Sequence, residues 1–362
     1  MNVHRIFTNL RTCQVESQYS YQMEIIPVRR KRATIHDVAV ESGISRGTVS
    51  RVVNGERYVS ADARTAIEAA IIKVGYVPNT AARSLVMQRT QAIAFIVHEP
   101  ASLFLEDPNI GAIMLGANST LSQADYQMVS LVIDSDRDTD RVARYLSGGF
   151  VDGAIIVSAR YNDPITRVIE RMEIPATFVG HPPDLRELSF VGIDNRNSAR
   201  AITERLMATG RSRIGMIAAA LDRDSGADRL TGFTEALGAQ FDPELVARIS
   251  LYSYTGGADG MRELLKREPN IDGVFAASDA VAAGALEALR EAGKRVPEDV
   301  GIVGFDDSAW ALRAKPHLST VQQPAQKLGE RAAESVLSQL RGDAVAPGGM
   351  LLECPIVWRD SA

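Results

Sequence analysis

Cysteine, histidine and aromatic residues are all scarce in this 362-residue sequence, and long apolar runs are absent. Cys13 and Cys354 lie at opposite ends and define no disulfide framework, so we expect a reducing, cytoplasmic environment. The histidines lack the spacing of metal ligands, and we expect neither a metal nor a cofactor. No apolar run reaches the ~20 residues that a transmembrane helix needs, and the basic start lacks the apolar stretch of a signal peptide.

The charges that are present divide unevenly along the chain. Residues 29–91 carry 11 Lys and Arg against 5 Asp and Glu, whereas residues 92–362 carry 27 against 38. A basic head on an acidic body favours contact between the head and a polyanion, although a solvated surface would look the same. With 45% hydrophobic residues, the chain is typical of a soluble protein of two or three domains.

Residues 1–32 show no periodicity and end in "RRKR". We expect a disordered basic extension, with Met23 as an alternative start that would leave residues 1–22 untranslated.

Residues 33–77 have the pattern of three short helices. Thr34 begins the first with Asp37 in a capping box, and Ser45 and Ser60 begin the second and third. The turn of about three residues between the first two predicts a helix-turn-helix domain. In the second helix, valines face the core while Arg46 and Arg51 point outward, and arginine is the side chain that forks onto guanine. A plain helical bundle with exposed arginines is the alternative.

Residues 78–90 form a linker with a short helical pattern after Pro78, too short to be stable alone. From residue 91 to 362, apolar strands alternate with amphipathic helices, which predicts an α/β core of two doubly wound parallel sheets. We assign about 91–180 with 325–350 to one subdomain, and about 181–324 with 351–358 to the other.

Three motifs follow one another along the chain: "TIHDVAVESGISRGTVSRVVNG" (34–55), "YVPNTAARSL" (76–85) and "DVGIVGFDDS" (299–308). Together they resemble the lac repressor family of bacterial transcription regulators (LacI/GalR). The resemblance implies a DNA-binding head, a hinge helix and a periplasmic-binding-protein-like core that closes around a small effector. It also implies a homodimer on a palindromic operator of double-stranded DNA.

The resemblance also implies which head residues contact DNA. Arg46, Gly47 and Arg51 match base-reading positions, and Gly47 offers no side chain, so the arginines would carry more of the recognition. A further set matches positions that contact phosphates or brace the head: Thr34, Ser45, Thr48, Ser50, Asn54, Tyr58 and Tyr76. Asn79, Ala82 and Leu85 match the hinge helix, in which the leucine would wedge into the minor groove and bend the duplex.

For the effector, the resemblance implies a grip by Arg229 and Asp306, a fork of donors and a carboxylate acceptor that suit a sugar or oligosaccharide. Tyr252, Ser278, Asp279 and Gln323 match further binding positions, and Phe104 is a candidate for the opposite wall. A role for Asp279 as a helix cap, and a surface ion pair between Asp306 and Arg229, are the structural alternatives.

Other functions fit less well. The chain has no dinucleotide fingerprint and no Ser-His-Asp or metal constellation, so we do not expect an enzyme. A sugar-binding transport protein would lack the helix-turn-helix and carry a secretion signal. A regulator with a non-sugar co-repressor stays open. The C-terminal tail has no heptads, so we expect a dimer and no tetramer-forming coiled coil.

Overall fold

The computed structural model describes residues 33–56, 58–77, 89–181, 188–343 and 349–362. The chain divides into two compact units near residue 83. The predicted extension (1–32) and the predicted hinge residues Asn79, Ala82 and Leu85 lie outside the described residues. No helix in the described part of the chain is long and apolar enough to cross a membrane.

The N-terminal unit contains α1 (Ile35–Ser42), α2 (Arg46–Val53) and α3 (Ala61–Val74). The helices begin at the predicted caps: the hydroxyls of Thr34, Ser45 and Ser60 each accept the backbone N–H three residues on. The carboxylate of Asp37 in turn accepts the N–H of Thr34 at 2.7 Å, which completes the predicted capping box. Val38, Val49 and Ile67 are fully buried at the centre of this small core.

The C-terminal unit alternates strands and helices, as predicted. Its strands are β1 (Ala92–Val97), β2 (Gln127–Val132), β3 (Gly153–Val157), β4 (Ala176–Val179), β5 (Ser189–Ile193), β6 (Ile214–Ala219), β7 (Val246–Ile249), β8 (Gly273–Ala276), β9 (Gly301–Val303), β10 (Thr320–Val321), β11 (Met350–Leu352) and β12 (Ile356–Val357). Its helices are α4 (Ala101–Glu106), α5 (Pro108–Gln123), α6 (Asp136–Ser147), α7 (Pro164–Met172), α8 (Asn195–Met207), α9 (Asp224–Leu237), α10 (Tyr254–Arg267), α11 (Asp279–Glu291), α12 (Ala309–Arg313) and α13 (Ala325–Arg341).

The strands form two parallel sheets, with orders β11-β5-β4-β3-β1-β2 and β7-β6-β8-β9. Side chains of β1 alternate between two hydrophobic clusters: Ile93 and Phe95 join the cluster that contains α5, while Ala94 and Ile96 join the cluster with α6 and α7. The first sheet is therefore covered on both faces, which is the doubly wound arrangement.

Glycines lie where neighbouring helices approach most closely. A methyl group on Gly116 of α5 would lie 2.0 Å from the carbonyl oxygen of Gln326 in α13, and one on Gly329 would lie 1.9 Å from that of Ile113. In the second half, Gly284 of α11 makes the same kind of approach to α10. These backbones pack too closely for any side chain at those positions.

The chain passes between the two sheets through short segments that hydrogen-bond to each other. β10 pairs antiparallel with β12 in a separate two-stranded sheet. Ser361 is fully buried, and its carbonyl accepts the N–H of Ile302 at 2.7 Å. Residues 349–362 thus join both halves of the core.

These pairings correct the predicted subdomain boundaries. β5 and β11 hydrogen-bond within the first sheet, whereas the sequence assigned residues 181–324 and 351–358 to the other subdomain. The first crossover falls after residue 193, because β5 pairs with β4 in the first sheet before the chain leaves it.

Candidate functional site

The exposed face of α2 carries the predicted base-reading residues. Arg46, Gly47 and Arg51 are exposed, while Val49 and Val52 are buried on the opposite face. Helix α2 begins at Ser45, whose hydroxyl lies 3.0 Å from that of Thr48. A short helix with a buried valine face and two outward arginines can enter a DNA groove without losing its own core.

Among the described residues of its unit, Arg51 has only a distant ion-pair partner. Its Nε lies 3.9 Å from Oε2 of Glu56, and both side chains are more than half exposed. Ion pairs of this kind contribute about 0–1 kcal/mol, so the guanidinium is readily released to another acceptor. Nearby, the amide of Asn54 donates to the hydroxyl of Ser50 at 3.4 Å.

The two predicted tyrosines of the head lie in different environments. Tyr58 is 95% exposed and its ring is available for contact. Tyr76 is buried in the head core, where burial raises the pKa of its phenol. This environment suits bracing of the head at Tyr76 and contact at Tyr58. The DNA contacts assigned to the head remain predictions.

A cavity of about 100 Å³ lies in the C-terminal unit, between the carboxyl ends of the two sheets. The structure brings four of the predicted effector residues together in its lining: Arg229, Asp306, Tyr252 and Gln323. The carboxyl ends of parallel strands are where open α/β sheets bind ligands.

Arg229 is held rigidly in this cavity. Its guanidinium donates to Asn195 Oδ1 at 2.9 Å and to the carbonyl of Ala277 at 2.6 Å, and Nη2 lies 3.5 Å from Asp306 Oδ1. The ring of Phe305 stacks beneath it at 3.7 Å. Arg229 and Asp306 are only 4% and 8% exposed, so their contact is not a surface ion pair.

Asp306 occupies a strained backbone conformation, with φ of 114°. Its N–H donates to the carbonyl of Val321 at 2.8 Å, and its carbonyl accepts the N–H of Gln323 at 3.0 Å. Residues 321–323 thus hold both the N–H and the carbonyl of the Asp306 backbone. Burial raises the pKa of this carboxyl well above its usual value, against the opposing effect of Arg229.

Three predicted effector residues do not line this cavity. Ser278 caps α11 by accepting the N–H of Val281 at 3.3 Å. Asp279 is fully buried and accepts bonds from the Thr320 hydroxyl and the Ser308 N–H, each at 2.7 Å. Asp279 therefore ties β10 to the segment before α12, and its assignment to the effector remains a prediction.

Phe104 of α4 is the third of these residues. Its side chain is half-buried against the main hydrophobic cluster. Asn109, at the start of α5, lines the cavity from that side instead.

The sequence did not single out several polar residues of the lining: Glu99, Asp107, Asn109, Asn195, Arg223 and Asp224. Glu99 and Asn195 lie two residues after the ends of β1 and β5, and this position could have indicated them. Burial raises the pKa of Asp224 to about 6. Its carboxylate accepts the backbone N–H of His181 from the other half of the core.

A DNA-binding type of head and a two-sheet core with a polar cavity together define a ligand-responsive regulator, and comparisons with known proteins agree. The profile of "Bacterial regulatory proteins, lacI family" matches residues 34–79, and that of "Periplasmic binding protein-like domain" matches residues 203–362. The HTH-type transcriptional regulator CelR of Thermobifida fusca is 39% identical over 338 residues, which cover 92% of this chain and 99% of that protein.

Two solved structures are similar over most of the chain. The transcriptional regulator CelR–cellobiose complex has a TM-score of 0.73 at 37% identity, covering 91% of this chain and 100% of the other. A lac repressor dimer bound to operator and the anti-inducer ONPF has a TM-score of 0.82 at 27% identity, covering 91% and 99%. This chain belongs to the lacI family of bacterial transcriptional regulators.

Proposed function

We propose that this regulator is a repressor that binds a palindromic operator as a homodimer and releases it when a small sugar binds in the core. The observation that carries the proposal is the buried arrangement of Arg229 and Asp306 in the cavity between the sheets. The guanidinium offers forked donors and the carboxylate accepts, so together they match adjacent sugar hydroxyls. DNA as the partner places the protein in the cytoplasm.

Each lining residue has a defined part in this proposal. Arg229 is already oriented by Asn195 and Ala277, so little side-chain freedom is lost when a ligand binds. The Tyr252 hydroxyl lies 3.0 Å from that of Ser225, which leaves its ring to pack on a sugar face. Gln323, in the segment that joins the sheets, adds a side-chain amide to the lining.

The backbone hydrogen bonds of Asp306 connect the site to the rest of the core. Because this residue is bonded on both sides to residues 321–323, a ligand that moves its carboxylate also acts on the segment joining the sheets. A ligand that prefers one arrangement of the sheets shifts the population toward it, with a typical coupling of about 1–3 kcal/mol. We infer that the predicted hinge residues Asn79, Ala82 and Leu85 pass this change to the head.

Selection of binding sites from random DNA, followed by titration, tests the proposal. The full-length protein should select a palindrome, and fluorescence anisotropy of that DNA should fall when an effective sugar is added. Cellobiose is the first probe, because the similar CelR structure contains it. A sugar that tightens the complex would indicate a co-repressor mode, and a panel without any effect would contradict a sugar effector.

A further inference from the structure

Beside Arg229 and Asp306, the cavity holds a second pair of opposite charges. Glu99 follows β1 of the first sheet, and Arg223 follows β6 of the second. Glu99 Oε1 contacts Arg223 Nη1, and the two side chains are 2% and 3% exposed. Both line the cavity, so this ion pair spans the cleft between the two halves of the core.

Each member of the pair keeps one atom without a hydrogen bond. Glu99 Oε2 and Arg223 Nη2 are buried and find no hydrogen-bond partner in the described part of the chain. Arg160 approaches Oε2 only to 4.0 Å, beyond hydrogen-bond distance. Buried polar atoms are costly to leave unpaired. A hydroxyl group can donate to the carboxylate oxygen and accept from the guanidinium, so it satisfies both atoms.

The charges of the lining restrict the ligand further. Four carboxyl groups, those of Glu99, Asp107, Asp224 and Asp306, face two guanidiniums. Each guanidinium already contacts a carboxylate. Burial raises the pKa of Asp107 and of Asp306, and that of Asp224 only to about 6. At pH 7 the carboxylates of Glu99 and Asp224 therefore still balance the two arginines, even with Asp107 and Asp306 protonated. Among the residues that the structure describes, the lining offers no unpaired cation for a phosphate or carboxylate.

We propose that Glu99 and Arg223 form a second polar subsite that binds sugar hydroxyls and selects uncharged sugars over phosphorylated or acidic ones. This inference rests on the proposed sugar effector. Tyr252 lies between the two pairs: its ring is 5.5 Å from the Arg229 guanidinium, and its phenol interacts electrostatically with Arg223. The two pairs and the ring thus provide two polar ends around one apolar surface.

Calorimetry on the full-length protein tests the subsite with matched pairs of sugars. The probes are cellobiose with cellobionate, and glucose with glucose 6-phosphate. Wild type should bind the neutral member of a pair at least 10-fold more tightly. Glu99→Gln should weaken binding of the neutral sugar at least 10-fold and reduce the preference for it over the anionic sugar by a similar factor, because Arg223 then keeps only the half-exposed Asp222 as a carboxylate partner. Glu334→Gln, which removes a carboxylate from an exposed ion pair on α13, is the control.

A second variant keeps the test valid if Glu99→Gln melts before it can be titrated. Arg223→Lys retains the charge but loses the fork, so neutral sugars should bind at least 10-fold more weakly with their preference over anionic sugars unchanged. Full neutral affinity in this variant would refute the subsite.

The outcomes separate this inference from the proposed function. If wild type binds sugars but Glu99→Gln behaves like Glu334→Gln, the subsite is wrong and the sugar effector stands. If wild type binds the anionic sugar more tightly than its neutral counterpart, the subsite is likewise wrong and the sugar effector stands. If no sugar of either kind binds, both proposals fail.

Discussion

Arg51 is the residue on which DNA recognition can be tested most directly. Arg51→Ala should cost about 1–3 kcal/mol on the selected operator, because a bidentate contact with guanine is lost, and much less on random DNA. Lys73→Ala on α3 removes one positive charge from an exposed position in the same head. Anisotropy titrations should show that this control affects both DNAs little and about equally. Equal losses for Arg51→Ala on both DNAs would reduce its role to a phosphate contact.

Arg229 and Asp306 allow the same test for the effector. Arg229→Ala and Asp306→Asn should each weaken sugar binding by about 1.5–3 kcal/mol, the usual size of a hydrogen bond to a charged group. Arg196→Ala is a matched control, since that arginine pairs with Glu235 on an exposed surface. Calorimetry with the sugar found in the operator assay measures the difference. Unchanged affinity in both variants would move the effector to another site.

At the scale of helices, two glycines of α5 provide a matched pair. Nothing lies within 4 Å of a methyl group added to Gly111, whereas one on Gly116 would overlap the Gln326 carbonyl. Gly111→Ala should be neutral or raise the free energy of unfolding by up to ~1 kcal/mol, because alanine favours helix. Gly116→Ala should lower it by about 1–3 kcal/mol, because α13 must shift. Chemical denaturation checks both, and similar values would mean that this crossing is loosely packed.

Asp279, at the start of α11, predicts a pH dependence of stability. Burial raises its pKa to about 7, above the value of ~3.9 expected in the unfolded chain. The folded state therefore holds the proton more tightly, and its contribution is full below pH ~4 and lost as the pH rises through about 7. Thermal unfolding should show a fall in stability between pH 5 and 8 that is shallower in Asp279→Asn. A parallel fall in the variant would assign the dependence to other groups.

The same elements show what could be predicted from sequence. The bounds of α2, α3 and α11 follow from local signals, because a capping serine and a terminating glycine act within one turn. The sequence pattern does not indicate β5, β7, β10, β11 or β12, since these strands are short and gain their hydrogen bonds from distant segments.

The candidate site shows the same difference between residues that local sequence indicates and residues that only long-range contacts bring together. Asp306 stands in one of the three motifs, and the resemblance also implies Arg229. Glu99 and Arg223, in contrast, are 124 residues apart in sequence and meet only because the two sheets face each other. The resemblance to the lac repressor family placed Asp279 among the effector residues. Its carboxylate turns instead toward Thr320 and Ser308, a choice set by tertiary packing.

At the scale of the whole molecule, the uneven charge predicts two different responses to salt. Residues 29–91 are basic and the remainder is acidic, so the head should supply the phosphate contacts. The logarithm of operator affinity should fall linearly with the logarithm of salt, by about 0.9 for each phosphate neutralised. Binding of an uncharged sugar should change little over 50–300 mM salt. Operator and sugar titrations over the same salt range measure both effects. Equal falls in operator affinity and in sugar affinity would contradict the assignment of the phosphate contacts to the head.

The position of residues 349–362 also bears on how the protein is made. The head is synthesised early and contains its own core, so it can fold while the rest of the chain is still on the ribosome. The two sheets cannot fold completely at that stage, because they need contacts from the last residues of the chain. β11 is the last strand added to the first sheet, β12 pairs with β10, and the carbonyl of Ser361 accepts the N–H of Ile302. A nascent chain therefore presents a finished head before it has a finished core. Premature stops in the last dozen residues should leave that head attached to an unfolded body, which proteases would remove.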